Sequence, residues 1–265
     1  MITDLDSDIA EAQAAARLLT ALQTRTACTP VRDLIGPTDL AAAYRVQERI
    51  SGGRIAAGAT VVGRKIGLTS KAVQEQMGVD QPDFGVLFDD MAYAHERTVP
   101  IERLLQPKAE AEVAFVLKAD LIDGPLDLEQ IRAAVGYGVA ALEVCDSRID
   151  GWDIAFADTV ADNASSGVYV LGTEHKTLEE FSPVEVGMSM TINGEQVSTG
   201  TGAACLGDPL NAVAWLARAA RDFGDPLRAG QLVLSGALGP MAPIAAGDEV
   251  TVQISGLGTV RARFE

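Results

Sequence analysis

The chain has 265 residues, nearly half of them hydrophobic, so it can bury a sizeable core and does not read as disordered. Its formal charge of −16, from 37 acidic against 21 basic residues, argues against nucleic acid and anionic membrane surfaces as partners. It leaves room for a small anionic substrate, because a metal ion and a lysine can reverse the sign locally. No apolar run approaches the roughly 18–20 residues that span a bilayer. The start, Met1-Ile-Thr-Asp-Leu-Asp-Ser-Asp8, is acidic and lacks the basic opening of a signal peptide. Cys28, Cys145 and Cys205 are scattered and odd in number, which fits a reducing cytoplasm.

In chain order, residues 8–24 place Ile9, Ala12, Ala16, Leu19 and Gln23 at helical spacing. A second helix spans residues 38–50, opened by Asp39 and closed by Ser51-Gly-Gly53. Val61-Val-Gly-Arg-Lys-Ile-Gly67 reads as a strand, residues 70–77 as a short helix capped by Ser70 and stopped by Gly78, and residues 80–85 as a turn-rich loop. Residues 126–135 form a surface helix, and residues 191–197 a hairpin around Asn193-Gly194. Asp208 caps a clear helix over residues 208–221, with Pro209 at its first position. Residues 231–235, 249–254 and 259–264 are strands. Gly200-Thr-Gly-Ala-Ala-Cys-Leu-Gly207 lacks the spacing of a dinucleotide loop and reads as a glycine-rich turn. Strands and helices do not alternate regularly, so the fold class is α+β with a curled, mainly antiparallel or mixed sheet. A helical region over residues 1–60 precedes one compact, strand-rich unit over residues 61–265.

Three acidic residues stand out against apolar surroundings. Glu110 and Glu112 lie in Lys108-Ala-Glu-Ala-Glu-Val-Ala-Phe-Val-Leu117, and Glu143 in Val139-Ala-Ala-Leu-Glu-Val-Cys145. In a strand, residues i and i+2 share a face roughly 6.5–7 Å apart, so both carboxylates of the first stretch could converge on one cation. All-oxygen ligation suits Mg²⁺ or Mn²⁺ rather than Zn²⁺. The competing reading is a solvated sheet edge, with Glu143 paired to an arginine such as Arg148. Cys145 reads as an ordinary core residue. Lys65 either faces outward or is drawn to a carboxylate-rich site, Asp83 sits in a loop after Pro82, and Ser165 and Ser166 are turn hydroxyls or substrate ligands. His95 and His175, the only histidines, give little support to a zinc site or a serine–histidine triad.

Gly63-Arg-Lys-Ile-Gly-Leu-Thr69, Gly78-Val-Asp-Gln-Pro-Asp-Phe-Gly85, Gln106-Pro-Lys-Ala-Glu-Ala-Glu-Val113, Ala141-Leu-Glu-Val144 and Asp158-Thr-Val-Ala-Asp-Asn-Ala-Ser165 resemble the 2-keto-4-pentenoate hydratases of the fumarylacetoacetate hydrolase superfamily. So do Cys205-Leu-Gly-Asp-Pro-Leu-Asn-Ala212 and Ser235-Gly-Ala-Leu-Gly-Pro-Met241. The resemblance runs from about residue 30 to the end. It implies a curled mixed β-sheet or β-barrel core with flanking helices, a homo-oligomer, and Mg²⁺ or Mn²⁺ held by Glu110, Glu112 and Glu143. It places the active-site lysine at Lys65, the acid–base aspartate at Asp83 and a substrate-binding serine at Ser165.

The implied reaction is hydration of a 2-hydroxy-2,4-dienoate to a 4-hydroxy-2-keto acid, in aromatic or steroid ring catabolism. Association with a downstream aldolase or a related decarboxylase would fit that context. Three alternatives stand beside it: a 2-oxo-3-hexenedioate (4-oxalocrotonate) decarboxylase, a C–C bond hydrolase, and a non-catalytic partner subunit. A decarboxylase needs a second anion site for the far carboxylate, and Arg64 is the one nearby basic candidate. A hydrolase commonly needs a histidine base, and both histidines fall outside the matching motifs.

Overall fold

A computed structural model describes the backbone of residues 4–265; the first three residues of the acidic start lie outside the described residues. Three helices come first: α1 (Asp4–Thr24), α2 (Arg32–Ile35) and α3 (Leu40–Ala56). The chain then runs through β1 (Val61–Gly67), α4 (Lys71–Met77), β2 (Asp83–Phe88), β3 (Ala92–Tyr93), β4 (Thr98–Val99), β5 (Pro107–Leu117), α5 (Leu128–Ala134) and β6 (Val135–Asp146). After it come α6 (Phe156–Ala161), β7 (Ser166–Leu171), the hairpin of β8 (Gly187–Ile192) and β9 (Glu195–Thr201), and α7 (Pro209–Asp222). The chain ends in β10 (Leu232–Ala237), β11 (Ala242–Pro243), β12 (Glu249–Ile254) and β13 (Gly258–Phe264).

The strands form two sheets. The larger runs β2-β1-β10-β5-β6-β7-β3, with β11 added beside β5, and curls into a half-barrel; the smaller runs β4-β13-β12-β8-β9. Pairing is mixed: β1 and β10 are parallel, while β10, β5, β6 and β7 pair antiparallel in turn. The α+β fold with a curled mixed sheet is therefore what the chain adopts. The main core lies between the sheets, where Ala111, Val113 and Phe115 of β5 and Leu142 and Val144 of β6 meet Val250, Val252, Val260 and Phe264 of β12 and β13. α7 adds Leu210, Val213, Leu216 and Ala217 to this core. Complete burial of each such large side chain contributes about 1.5–3 kcal/mol.

Several local expectations need correction. α3 does not stop at the glycine pair; it continues through Gly52 and Gly53 to Ala56. Ser51 is buried on that helix, so tertiary packing outweighs the weak helix propensity of two glycines. Asp39 caps it as expected, accepting from Ala42 N. Ser70 precedes α4 without a side-chain capping hydrogen bond, while Gly78 does end it in the left-handed conformation. Residues 83–85 are not loop: Asp83 opens β2, because β2 finds a full antiparallel partner in β1. Asp208 and Pro209 start α7 as read, and Asn193-Gly194 turns the hairpin with both residues at positive φ.

A second core cluster joins Ala14, Leu18, Val31 and Val46 of the N-terminal region to Phe156, Ala157 and Val160 of α6. Asp158, fully buried on α6, staples this contact. It accepts hydrogen bonds from Val31 N, Arg32 N and Ala155 N, and pairs with the Arg32 guanidinium at 2.8 Å. Asp158→Ala would leave one buried and two half-buried backbone donors without their acceptor, while Arg32 keeps its pair with Asp153, and should lower stability by about 2–3 kcal/mol in equilibrium denaturation. A loss below about 1 kcal/mol would show that the staple carries little of the contact.

Candidate active site on one face of the large sheet

The site follows from strand register. Glu110 of β5 stands directly opposite Glu143 of β6, and Glu112 lies opposite Ala141. Directly opposed residues of an antiparallel pair project to the same side, so all three glutamates share a face. Lys65 reaches that face from β1, through register with Leu234 of β10, which pairs with Ala114 of β5. Asp83 of β2 is opposite Gly67 of β1, two residues from Lys65, and points the same way. A Cβ at Gly67 would lie 2.2 Å from Asp83 Oδ1, so glycine there makes room for the carboxylate.

The five groups lie on one buried face, which is not the solvated sheet edge of the competing reading. Glu110, Glu112, Glu143, Lys65 and Asp83 are all buried, Glu112 and Asp83 at only 1% exposure. Glu143 is paired with Lys65, whose Nζ lies 3.2 Å from its Oε1, and not with Arg148. Lys65 is buried rather than outward-facing, and also donates to the Ala164 carbonyl at 3.1 Å. Glu112 accepts from Gly236 N at 2.9 Å.

Cys145 also belongs here. It shares the alternation of Glu143 two residues earlier, donates to Glu110 Oε1 at 2.9 Å and lies 3.7 Å from Lys65 Nζ. Its reading as plain core was incomplete; the i, i+2 rule already used for the glutamates points to it. Burial pushes its thiol well above the ordinary range, so the neutral form is favoured.

The electrostatics follow from packing acids together out of water. Burial, then the neighbouring Glu143 and Glu110, raise the Glu112 carboxyl well above the usual range. Burial likewise raises Glu143, against the pull of Lys65. Burial would lower Lys65, but Cys145, Glu143, Glu110 and Asp83 outweigh it and keep the ammonium well above the lysine range. Because Cys145 is itself held neutral, the carboxylates are the physical source of that rise. Burial raises Asp83, with Lys65 opposing.

Ser165 arrives on a loop in an unusual conformation. Asn163, Ala164 and Ser165 have φ of 55°, 51° and 50° in succession, each costing on the order of 1 kcal/mol or more for a residue other than glycine. The surroundings hold them there. Asn163 exchanges two hydrogen bonds with the Val86 backbone, at 2.7 and 2.9 Å. Buried Arg148 bonds the Asp162 carboxylate and carbonyl and the carbonyls of Asp146 and Ser166. Gly85 lets the loop approach β2, since a Cβ there would meet Asn163 O at 2.3 Å. The loop thereby delivers the Ala164 carbonyl to Lys65 and the Ser165 hydroxyl toward Asp83.

The donor set fits a hard divalent cation. Three buried carboxylates share one sheet face, and Glu143 Oε2 has no hydrogen-bond partner. With Glu143 turned to Lys65, no three acidic, thiol or imidazole groups among the described residues are gathered about one point as a formed metal site. Arg64 alternates with Lys65, lies on the opposite face and pairs with Asp225, so it does not face the glutamates. His95 accepts from Arg261 N and His175 stacks on Tyr137, so each is engaged elsewhere.

Comparison with known proteins bears on the family. A family model for the C-terminal part of fumarylacetoacetate (FAA) hydrolase matches residues 57–265. The chain is 53% identical over 252 residues to the TodF product hydratase of Pseudomonas putida, covering 95% of this chain and 94% of that protein. It is 51% identical over 253 residues to a 2-keto-4-pentenoate hydratase of Paraburkholderia xenovorans, covering 96% and 94%. The fold superposes on 4-oxalocrotonate decarboxylase from Pseudomonas putida G7, complexed with magnesium and adipate, with a TM-score of 0.93 at 36% identity over 97% of this chain and 98% of that one. Identity over nearly the whole length is thus higher to the hydratases than to the decarboxylase, and the chain belongs to the 2-keto-4-pentenoate hydratase family of the fumarylacetoacetate hydrolase superfamily.

Proposed function

We propose that this hydratase adds water to a 2-hydroxy-2,4-dienoate, the dienol of a 2-keto-4-enoate, and releases a 4-hydroxy-2-keto acid. The observation that carries the reading is the buried set of Glu110, Glu112, Glu143, Lys65 and Asp83 on one sheet face, in a chain about half identical to hydratases over most of its length. Glu110, Glu112 and Glu143 would hold a Mg²⁺ or Mn²⁺ ion. When bound, that ion supplies a chelation point for the substrate's carboxylate and 2-oxygen and electrophilic polarisation of the latter.

The chain's own groups then have distinct tasks. Lys65 keeps its charge against burial, because carboxylates surround it, and draws in an anionic substrate. Asp83 presents an unpartnered oxygen, Oδ1, in a buried setting that eases proton uptake. It takes or gives a proton as the dienol becomes the enone, by protonation at C5, and as water adds at C4 and C3 is protonated. Burial keeps bulk water from competing for these protons. Ring catabolism, a homo-oligomeric state and association with an aldolase or decarboxylase fit this chemistry and belong to the same proposal.

The decarboxylase is the second reading, favoured by the close superposition on 4-oxalocrotonate decarboxylase. The one basic residue that the sequence offered for a second anion site, Arg64, faces away and is paired with Asp225. The glutamates serve both reactions and cannot distinguish them.

Removing divalent cations with a chelator should abolish decay of the dienol absorbance, and Mg²⁺ or Mn²⁺ should restore it; full turnover by cation-free enzyme would refute the metal dependence. Lys65→Ala and Asp83→Asn should each lower kcat/KM by roughly 10²-fold or more, and a change under about threefold in either would remove that residue from the chemistry. In H₂¹⁸O the product should carry the label at C4. Release of CO₂ from 2-oxo-3-hexenedioate at a higher kcat/KM than any dienoate hydration would assign the chain to decarboxylation.

A further inference from the structure

Asp83 and Ser165 have a side chain between them that the proposed chemistry does not use. Thr159 is buried on α6 at 5% exposure. Its Oγ1 donates to Asp83 Oδ2 at 3.4 Å and lies 3.3 Å from Ser165 Oγ. These contacts are long, as those of reacting groups commonly are before substrate tightens them. The three side chains come from different places: the start of β2, the middle of α6 and the strained loop after it. Arg148, Asn163 and Gly85 hold that loop against β2, so the alignment is built by packing and is not a chance meeting of surface hydroxyls.

Hydrogen counting gives the row a direction. A threonine hydroxyl has one hydrogen to donate. If Thr159 gives its hydrogen to Asp83, the hydrogen between Thr159 and Ser165 is the serine's own. Ser165 then has none left for a substrate carboxylate, and offers only lone pairs to whatever else reaches it. The substrate-binding serine implied by the resemblance would then meet its partner as an acceptor, not as a donor. A group that needs an acceptor at this point is a water molecule about to lose a proton.

We infer that Ser165, Thr159 and Asp83 form a proton relay, in which Ser165 accepts a proton from the adding water and Thr159 hands one on to Asp83. This rests on the hydratase reading above. The water O–H bond breaks and its oxygen bonds to C4 of the enone, while the C3–C4 π pair moves toward C2 and its oxygen. The water proton goes to Ser165 Oγ, the serine proton to Thr159 Oγ1, and the threonine proton to Asp83 Oδ2. Return of one proton to C3 restores ionised Asp83, and the net change is addition of one H₂O. Thr159 touches no reacting atom in this scheme; it is a positioning residue that acts through its neighbours. Burial raises the Asp83 carboxyl against the pull of Lys65, which makes the ionised group a stronger proton acceptor at the end of the row.

The test is a double-mutant cycle on full-length enzyme loaded with Mg²⁺, following dienoate decay and product formation. Thr159→Val, isosteric but without the hydroxyl, should lower kcat by about 10²-fold and shift KM by less than about threefold. Thr159→Ser should recover at least about tenfold of that loss. Combined with Ser165→Ala, Thr159→Val should add little, because both cut the same row. If Thr159→Val loses its cooperative thermal transition, Thr159→Ala carries the same expectation. Additive losses in the double variant, a kcat within about threefold of the unsubstituted enzyme, or no recovery with serine would each overturn the relay while leaving hydration intact. An unsubstituted enzyme that hydrates no dienoate would instead refute the functional reading on which the relay stands.

Discussion

The arrangement turns on burying acidic groups together. Glu110, Glu112, Glu143 and Asp83 share one sheet face with Lys65, and all are nearly inaccessible to water. One lysine cannot neutralise four carboxylates, and a buried charge without compensation costs several kcal/mol. The raised carboxyls of Glu112, Glu143 and Asp83 express that cost. A divalent cation would remove much of it, and would turn a repulsive cluster into a site that attracts an anionic substrate. The large negative charge of the chain is therefore compatible with an acidic substrate, because a bound divalent cation and Lys65 would offer that substrate local positive partners despite the global charge.

The rest of the molecule serves to keep that face in place. The core between the sheets supports β5 and β6 from behind. The second core cluster brings α6 against the N-terminal helices, with Asp158 as its staple. The same six-residue helix carries Thr159, and the loop that follows carries Ala164 and Ser165 to the site. Strain in the loop is offset by Arg148 and Asn163, so its backbone energy is tied to where Lys65 and Ser165 sit. Asp158, Asp162 and Asn163, all in one motif of the sequence, thus hold the frame, while Thr159 and Ser165 between and after them line up with Asp83.

How much of this was legible depends on whether the signal is local. Glu110, Glu112 and Glu143 were readable because strand alternation and apolar flanks act over a few residues. Cys145 obeyed the same alternation but looked like ordinary core, since cysteine is commonly buried. The burial of Lys65 was not decidable from its neighbours: Arg64 is buried too, on the other face, and only pairing with β10 and β2 separates them. Asp83 read as loop because Pro82 and Gly85 are turn residues, yet β1 makes it the first residue of a strand. Gly52 and Gly53 read as a helix stop, and packing carries α3 past them. Thr159 gave no signal, because its role arises only when α6, β2 and the loop meet in space.

The central claim, that the three glutamates form one divalent-cation site, is tested most directly by titrating cation-free protein with Mn²⁺ and following free ion by electron paramagnetic resonance. The account predicts one tight site per chain, weakened by about tenfold or more in each of Glu110→Gln, Glu112→Gln and Glu143→Gln while the thermal transition remains cooperative. Absence of stoichiometric binding, or unchanged affinity in all three variants, would contradict it.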